Sequence, residues 1–383
     1  MGSYLLSHLH ALGGGVVGYL IPFLFVLSIV VFFHEFGHFL IARLCGVRVL
    51  VFSIGFGPEI AGFNDRYGTR WKISAVPLGG YVKFFGDENA ASVPDAPRLE
   101  TMSASDRAES FFFQPVFKRA AIVVAGPFAN FILAIVIFSA IFGVFGKQSM
   151  SARVDSVQEG SAAASAGFKP GDIVVAIDGQ PVADFSEMQR VVSESAGQSL
   201  NIKIDRNGTS LDLAATPALK DIKDNFGNVH HVGVLGISRS MAAEDLKFQP
   251  VSPPRAVLMG VQETWFVIDR TLSYIGGVVV GREAADQLGG PIRIAQISGQ
   301  VATIGFAALI HLAAVLSVSI GLLNLFPIPL LDGGHLLFYA IEAMRGRPLS
   351  ERAQEVGFRI GLAIVVMLMI FATFNDIVHL TTS

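Results

Sequence analysis

Predominantly apolar runs stand out at four places: residues 17 to 42, 120 to 146, 306 to 331 and 360 to 380. Each has the length and apolarity of a bilayer-crossing helix, which needs ~20 such residues. No Lys or Arg precedes the first, VVGYLIPFLFVLSIVVFF, and no small-residue cleavage site follows its core, so it is expected to be a retained helix. After it, GVRVLVFSIGFGPEI and RWKISAVPLGGYVKFFGD flank the turn-rich GFNDRYGT, and their β-branched and aromatic residues predict a hairpin over 47–86. Its apolarity suggests a small sheet dipping into the membrane. Backbone of that kind is tolerated at such depth only where protein covers it or it lines a wet cavity, so the hairpin should face a site.

Residues 87–117 are polar and rich in Pro, Ala and Ser at their start and read as a linker before the second span, 118–146. Gly126, Pro127 and Asn130 within that span suggest close packing against another helix. From 151 to 217 the composition turns soluble. Over 218–305 the stretch PPRAVLMGVQETWFVIDRTLSYIGGVVVG has helix periodicity, but Glu263, Asp269 and Arg270 argue against a fifth span and for an amphipathic helix at the outer membrane surface. The remaining parts are 1–46, carrying the first span, 306–345, carrying the third, and 346–383, carrying the fourth.

Composition agrees with this pattern. Of 383 residues 52% are hydrophobic and 15% charged, and the mean hydropathy is +0.55, far from an ordinary soluble chain. A net charge of -3 gives no basic bias, so no nucleic-acid partner is expected. The single Cys45 excludes an intrachain disulfide and a cysteine-built metal site. Lys and Arg are absent from 1–42 and 360–383 but fall densely between the first two spans and again at Arg345, Arg347, Arg352 and Arg359. Both termini and the segment from about 147 to 305 are therefore expected outside the cytoplasm, in a multi-pass protein of a plasma membrane.

The stretch GSAAASAGFKPGDIVVAIDGQPVADFSEMQRVV resembles a PDZ domain of the bacterial, circularly permuted kind, with Gly167, Pro170, Gly171, Asp172, Asp178 and Gly179 carrying the match. The expected fold is thus a polytopic α-helical membrane protein of about four transmembrane helices, with a membrane-associated β-hairpin and an inserted α+β PDZ domain.

The chemistry concentrates in HEFGH, residues 34–38. On a helix, i and i+4 share a face, so His34 and His38 can both present imidazole nitrogens to one Zn²⁺ while Glu35 is angled toward its water. Ionisable groups inside an apolar helix carry a desolvation cost unless they pair, bind metal or face water. A catalytic zinc takes a third protein ligand. NLFPIPLLDGGH, 324–335, offers Asp332 and His335 at the end of the third span, and Asp332 has a rival reading as an N-cap for the stretch that follows. Spacing alone leaves these open. Asn324 could hydrogen-bond a substrate or another helix.

HEFGH in the first span, GFGP in the following loop, a PDZ-like insert between the second and third spans and NLFPIPLLDGG in the third together resemble the site-2 protease family of intramembrane zinc metalloproteases. Within that family, the motifs and their order resemble the bacterial regulator-of-sigma-E kind. The resemblance runs along nearly the whole chain. It implies that His34, His38 and Asp332 bind zinc, that Glu35 is catalytic and that Asn324 helps bind or polarise substrate. It further implies an inner-membrane enzyme with its site toward the cytoplasm, single-pass membrane proteins as substrates and an upstream site-1-type protease as a possible partner. One departure stands out: many relatives carry two PDZ domains in tandem, and this chain has room for one.

Overall fold

In a computed structural model, described over residues 2–87, 101–182, 184–223, 229–239, 246–281 and 289–382, the first apolar run lies in a long helix, α1 (Gly2–Leu44). Strands β1 (Val49–Asn64) and β2 (Arg70–Phe84), a short helix α2 (Ala104–Glu109) and α3 (Val116–Phe145) follow. The insert holds β3 (Lys147–Met150), β4 (Ser156–Val157), α4 (Ala162–Ala166), β5 (Ile173–Ile177), β6 (Gln180–Pro181), α5 (Phe185–Glu194), β7 (Leu200–Arg206) and β8 (Thr209–Ala215). It continues with β9 (Ala218–Lys223), β10 (Val229–Val234), β11 (Ile237–Ser238) and β12 (Leu246–Gln249). Helices α6 (Pro253–Val279), α7 (Pro291–Ile304), α8 (Phe306–Asn324), α9 (Asp332–Arg345) and α10 (Glu351–Thr382) complete the order. Among the described residues, four helical segments are long and apolar enough to cross a membrane: Val17–Leu44, Val116–Phe145, Phe306–Asn324 and Arg352–Val378. The third is shorter than its apolar run, because Pro327 and Pro329 cannot continue a helix and α8 stops at Asn324.

Two compact units divide the chain, residues 1–140, 257–273 and 286–383 in one and 141–256 and 274–285 in the other. In the first, the expected hairpin is present but folded over. β1 and β2 pair antiparallel, yet Phe52 faces both Val82 and Trp71, while Phe63 also faces Trp71. Segment 49–54 therefore lies between 80–84 on one side and 70–73 on the other, and 59–64 borders 70–74 beyond. The bend falls at GFGP, where Gly55 and Gly57 take φ of +88° and +83°, values that suit glycine. Among the described strands, 80–84 is left with one neighbour and forms an edge. Phe39, Val49, Phe52, Val82, Phe84, Ile122 and Val123 share one buried core, which locks the hairpin base between α1 and α3. Its turn is fastened as well: Arg43, near the end of α1, pairs with Asp65, and Trp71 donates from Nε1 to Asp65 at 3.1 Å.

The expected linker 87–117 is partly ordered structure. Residues 88–100 lie outside the described residues, but Ser103 caps α2 by accepting from Asp106 N, and Phe111 is buried against Phe84 with ring centroids 4.9 Å apart. An apolar anchor in a polar stretch draws it onto the hairpin.

In the second unit, β6-β5-β7-β8 form a four-stranded sheet whose inner face packs on α4 and α5 around Val154, Phe168, Val174, Met188, Ile202 and Ile204. From Leu200 to Ile204 along β7 buried and exposed residues alternate, as a half-covered strand requires. The residues of the PDZ-like string hold turns and caps. Gly167 ends α4 at φ +85°, and Asp178 accepts from Asn201 N at 2.8 Å. Asp172 is fully buried, and burial alone would raise its pKa. Arg206, donating from Nε at 2.7 Å, and the Lys169 N–H, at 2.8 Å, outweigh that and hold the carboxyl below the usual range. The core runs past residue 217: Leu235 belongs to it, and Ile237 pairs with Val157. The sequence reads VHHVGVLGI, 229–237, as a strand but leaves it outside the insert's fold, because what joins it there is pairing with residues far earlier in the chain. Glu263, Asp269 and Arg270 all lie in α6, which is helical throughout as expected.

Candidate metal centre and catalytic cavity

HEFGH sits in the last third of α1, where the helical period turns His34 and His38 to one side. Their Nε2 atoms are 3.3 Å apart, with the rings nearly perpendicular at 85°. Asp332 reaches the same point from the far end of the sequence, its Oδ2 3.2 Å from His34 Nε2 and 3.6 Å from His38 Nε2. These three are the group of potential metal ligands found among the described residues. Two imidazole nitrogens and one carboxylate oxygen are a zinc donor set, and donors ~2.0–2.2 Å from a tetrahedral ion stand about 3.3–3.5 Å apart. Asp332 Oδ2 is buried without a hydrogen-bond partner, a state that a cation between the three groups would relieve.

The surroundings prepare both rings. His38 donates from Nδ1 to the Ile122 carbonyl of α3 at 2.9 Å, which leaves its Nε2 lone pair facing the cluster. Gly126, one turn further along α3, makes room for that ring: a Cβ there would stand 2.2 Å from His38 Nε2. His34 has Asn130 Nδ2 3.4 Å from its Nδ1 and Asn324 Nδ2 3.4 Å from its Nε2. The expected helix contact of Asn130 is also present, since Ser317 of α8 donates to its backbone carbonyl at 2.9 Å.

Asp332 is the first residue of α9, and the N-cap position belongs to Leu331, so the carboxylate is not used as a cap. The turn before it is tight. Leu330 has φ of +103°, and Gly333 and Gly334 lie buried beneath the loop carbonyls of Phe326 and Ile328. His335 falls outside the donor group; its ring lies 5.4 Å from Phe358 and 6.5 Å from Tyr339.

A cavity of about 200 Å³ opens over the cluster, lined by Glu35, Gly80, Tyr81, Leu330, His335 and Tyr339 besides the three donors. Gly80 begins the edge segment of the sheet, and a Cβ on it would meet Ser53 O at 2.8 Å and Glu35 Cγ at 2.9 Å. The edge of the hairpin is thus pressed against the turn of α1 that bears Glu35. Sequence reading missed Gly80 and Gly126 as site residues. Gly126 carried a signal in hindsight, standing one helical turn from Asn130 on the same face of α3.

The model of peptidase family M50 matches residues 22–368 of this chain. A protein of Agrobacterium fabrum named "Putative zinc metalloprotease" is 54% identical over 95% of this chain and 97% of its own length. Metalloprotease MmpA of Caulobacter vibrioides is 42% identical, over 94% and 95% respectively. Regulator of sigma-E protease RseP of Salmonella typhimurium is 32% identical over 93% of this chain and 98% of its own length. That last alignment spans 451 positions against the 383 residues here, so RseP has stretches that this chain lacks.

Proposed function

The chain belongs to peptidase family M50, the site-2 proteases, and from that premise we propose that it is an inner-membrane zinc endopeptidase cleaving single-pass membrane proteins within or at the edge of the bilayer. The observation that carries this reading is the convergence of His34, His38 and Asp332 beside Glu35 in a cavity bordered by a sheet edge. When bound there, zinc supplies Lewis acidity, lowering the pKa of a water and favouring negative charge on the carbonyl oxygen. Glu35 is the general base: it takes the proton of the attacking water and delivers it to the leaving amine. Asn324, at the end of α8, donates a hydrogen bond toward the scissile carbonyl.

A peptide bond inside an intact helix is shielded by its own hydrogen bonds, so the substrate must be unwound. Segment 80–84 is suited to hold it extended by adding it as a further strand, next to Glu35. The Lys and Arg distribution supports a site facing the cytoplasm and an extracytoplasmic insert, which we read as a PDZ domain. Regulated proteolysis after a first cut by a site-1-type protease fits that arrangement. Glu35→Gln tests the chemistry: hydrolysis of a single-pass substrate should fall at least about a hundredfold with zinc content unchanged, and normal turnover by this variant would reject the assignment.

A further inference from the structure

We propose that Asn130 is a positioning residue for His34, its side-chain oxygen accepting the Nδ1 proton of the ring so that Nε2 is free for the metal. The inference rests on the zinc-site reading above. Asn130 is fully buried on α3, and its Oδ1 has no hydrogen-bond partner. Its Nδ2 faces His34 Nδ1 at 3.4 Å, while Asn324 Nδ2 faces His34 Nε2 at the same distance. A neutral imidazole carries one N–H and one lone pair, so it cannot accept from both amides at once. One amide must be turned, and the two orientations of an amide differ only by exchange of O and N.

The metal-facing atoms decide which. Nε2 of His34 is the nitrogen that meets Asp332 Oδ2 and His38 Nε2, so a ligating His34 must hold its proton on Nδ1. That proton needs an acceptor, and Asn130 is the polar side chain placed there. Turning its amide brings the otherwise unpartnered Oδ1 to the Nδ1–H. His38 is served in the same way by the Ile122 carbonyl, two turns earlier on the same helix. Helix α3 therefore fixes the tautomers of both histidines from behind, once through its backbone and once through a side chain. Asparagine suits the position for a further reason: before metal binds, the proton can sit on Nε2 toward Asp332, and the same side chain then donates from Nδ2 to Nδ1.

Zinc affinity of the purified full-length protein, measured by competition against graded chelators and independent of proteolysis, is the test. Asn130→Leu, close in shape but without an acceptor, should weaken zinc binding about 10–100-fold. Asn130→Asp keeps the acceptor and should hold affinity within about threefold of wild type or tighten it. Wild-type affinity in the Leu variant would mean that Asn130 only packs, and a loss in the Asp variant would mean that its N–H donation is what matters; either overturns the proposal. Should the Leu variant fail to fold, Asn130→Ala, which also lacks an acceptor, takes its place with the same expected loss, and wild-type affinity there overturns the proposal. A His34→Ala variant that retains wild-type zinc affinity would instead bring down the metal-site reading, and the inference with it.

Discussion

At the residue scale, spacing alone left Asp332 and His335 open as the third donor, and the resemblance to the site-2 proteases pointed to Asp332. Asp332 and His335 are three positions apart, and both had the chemistry. The turn at Leu330 and the buried Gly333 and Gly334 send the carboxylate to the histidines and the imidazole toward Phe358. Asp332→Ala should accordingly lose activity and weaken zinc binding by more than the ~10–100-fold commanded by an outer partner, whereas His335→Ala should keep its zinc. Metal analysis of the two purified variants checks this, and reversed outcomes would move the ligand to His335.

At the element scale, the folded hairpin does something that neither strand does alone. By doubling back at Gly55–Pro58, β1 places 49–54 in the interior of the sheet and leaves 80–84 as an edge beside α1. Only a residue without a side chain fits where that edge meets Glu35. Gly80→Val should push the edge and the carboxylate apart, and displacement by ~1 Å at a reacting group can cost about a hundredfold. We expect kcat/KM for a single-pass substrate to drop at least about tenfold while zinc content holds. Unchanged kcat/KM would reject the edge as the substrate's guide. The helix α6 shows the same economy on another element: a Cβ on Gly260 would stand 2.8 Å from the Ile135 carbonyl of α3, so the two helices touch there backbone to backbone.

At the scale of the whole molecule, two predictions concern orientation and access. Cysteine placed at 347 should be shielded from an impermeant thiol reagent in intact cells, and cysteine placed at 207 should react; labelling at 347 would invert the proposed topology. The insert contains none of the residues gathered at the metal centre, which favours a role in admitting substrates rather than in chemistry. Its strands β3 and β12 pair antiparallel, Met150 facing Leu246, so a short Gly/Ser loop can replace 151–245 without parting the chain ends. That variant should keep its zinc, still cleave a substrate already trimmed on the outer side and newly cleave the untrimmed one. Unchanged discrimination would reject the gate. Loss of all cleavage with zinc retained would favour a recruiting domain instead.

Much was legible in the sequence because it is written in short-range periodicity. Apolar runs long enough for a bilayer predicted four spans, and the i, i+4 spacing of His34 and His38 follows from helix geometry alone. The hairpin arms and the caps of the insert are equally local, resting on β-branched runs and on Gly, Ser and Asp at turns. What the tertiary structure alone decided involves partners far apart along the chain. The Asp332 carboxylate beside the histidine pair, Asn130 behind His34, the Ile122 carbonyl on His38 and Gly80 against Glu35 each join elements separated by a loop or a whole insert. No spacing rule encodes such contacts, because they depend on how α1, α3 and the 325–331 turn pack once membrane and core have been satisfied. The extension of the insert's core to Leu235 and Ile237 has the same cause: VHHVGVLGI reads as a strand locally, but its membership of this core rests on pairing with Ser156–Val157, far back in the sequence.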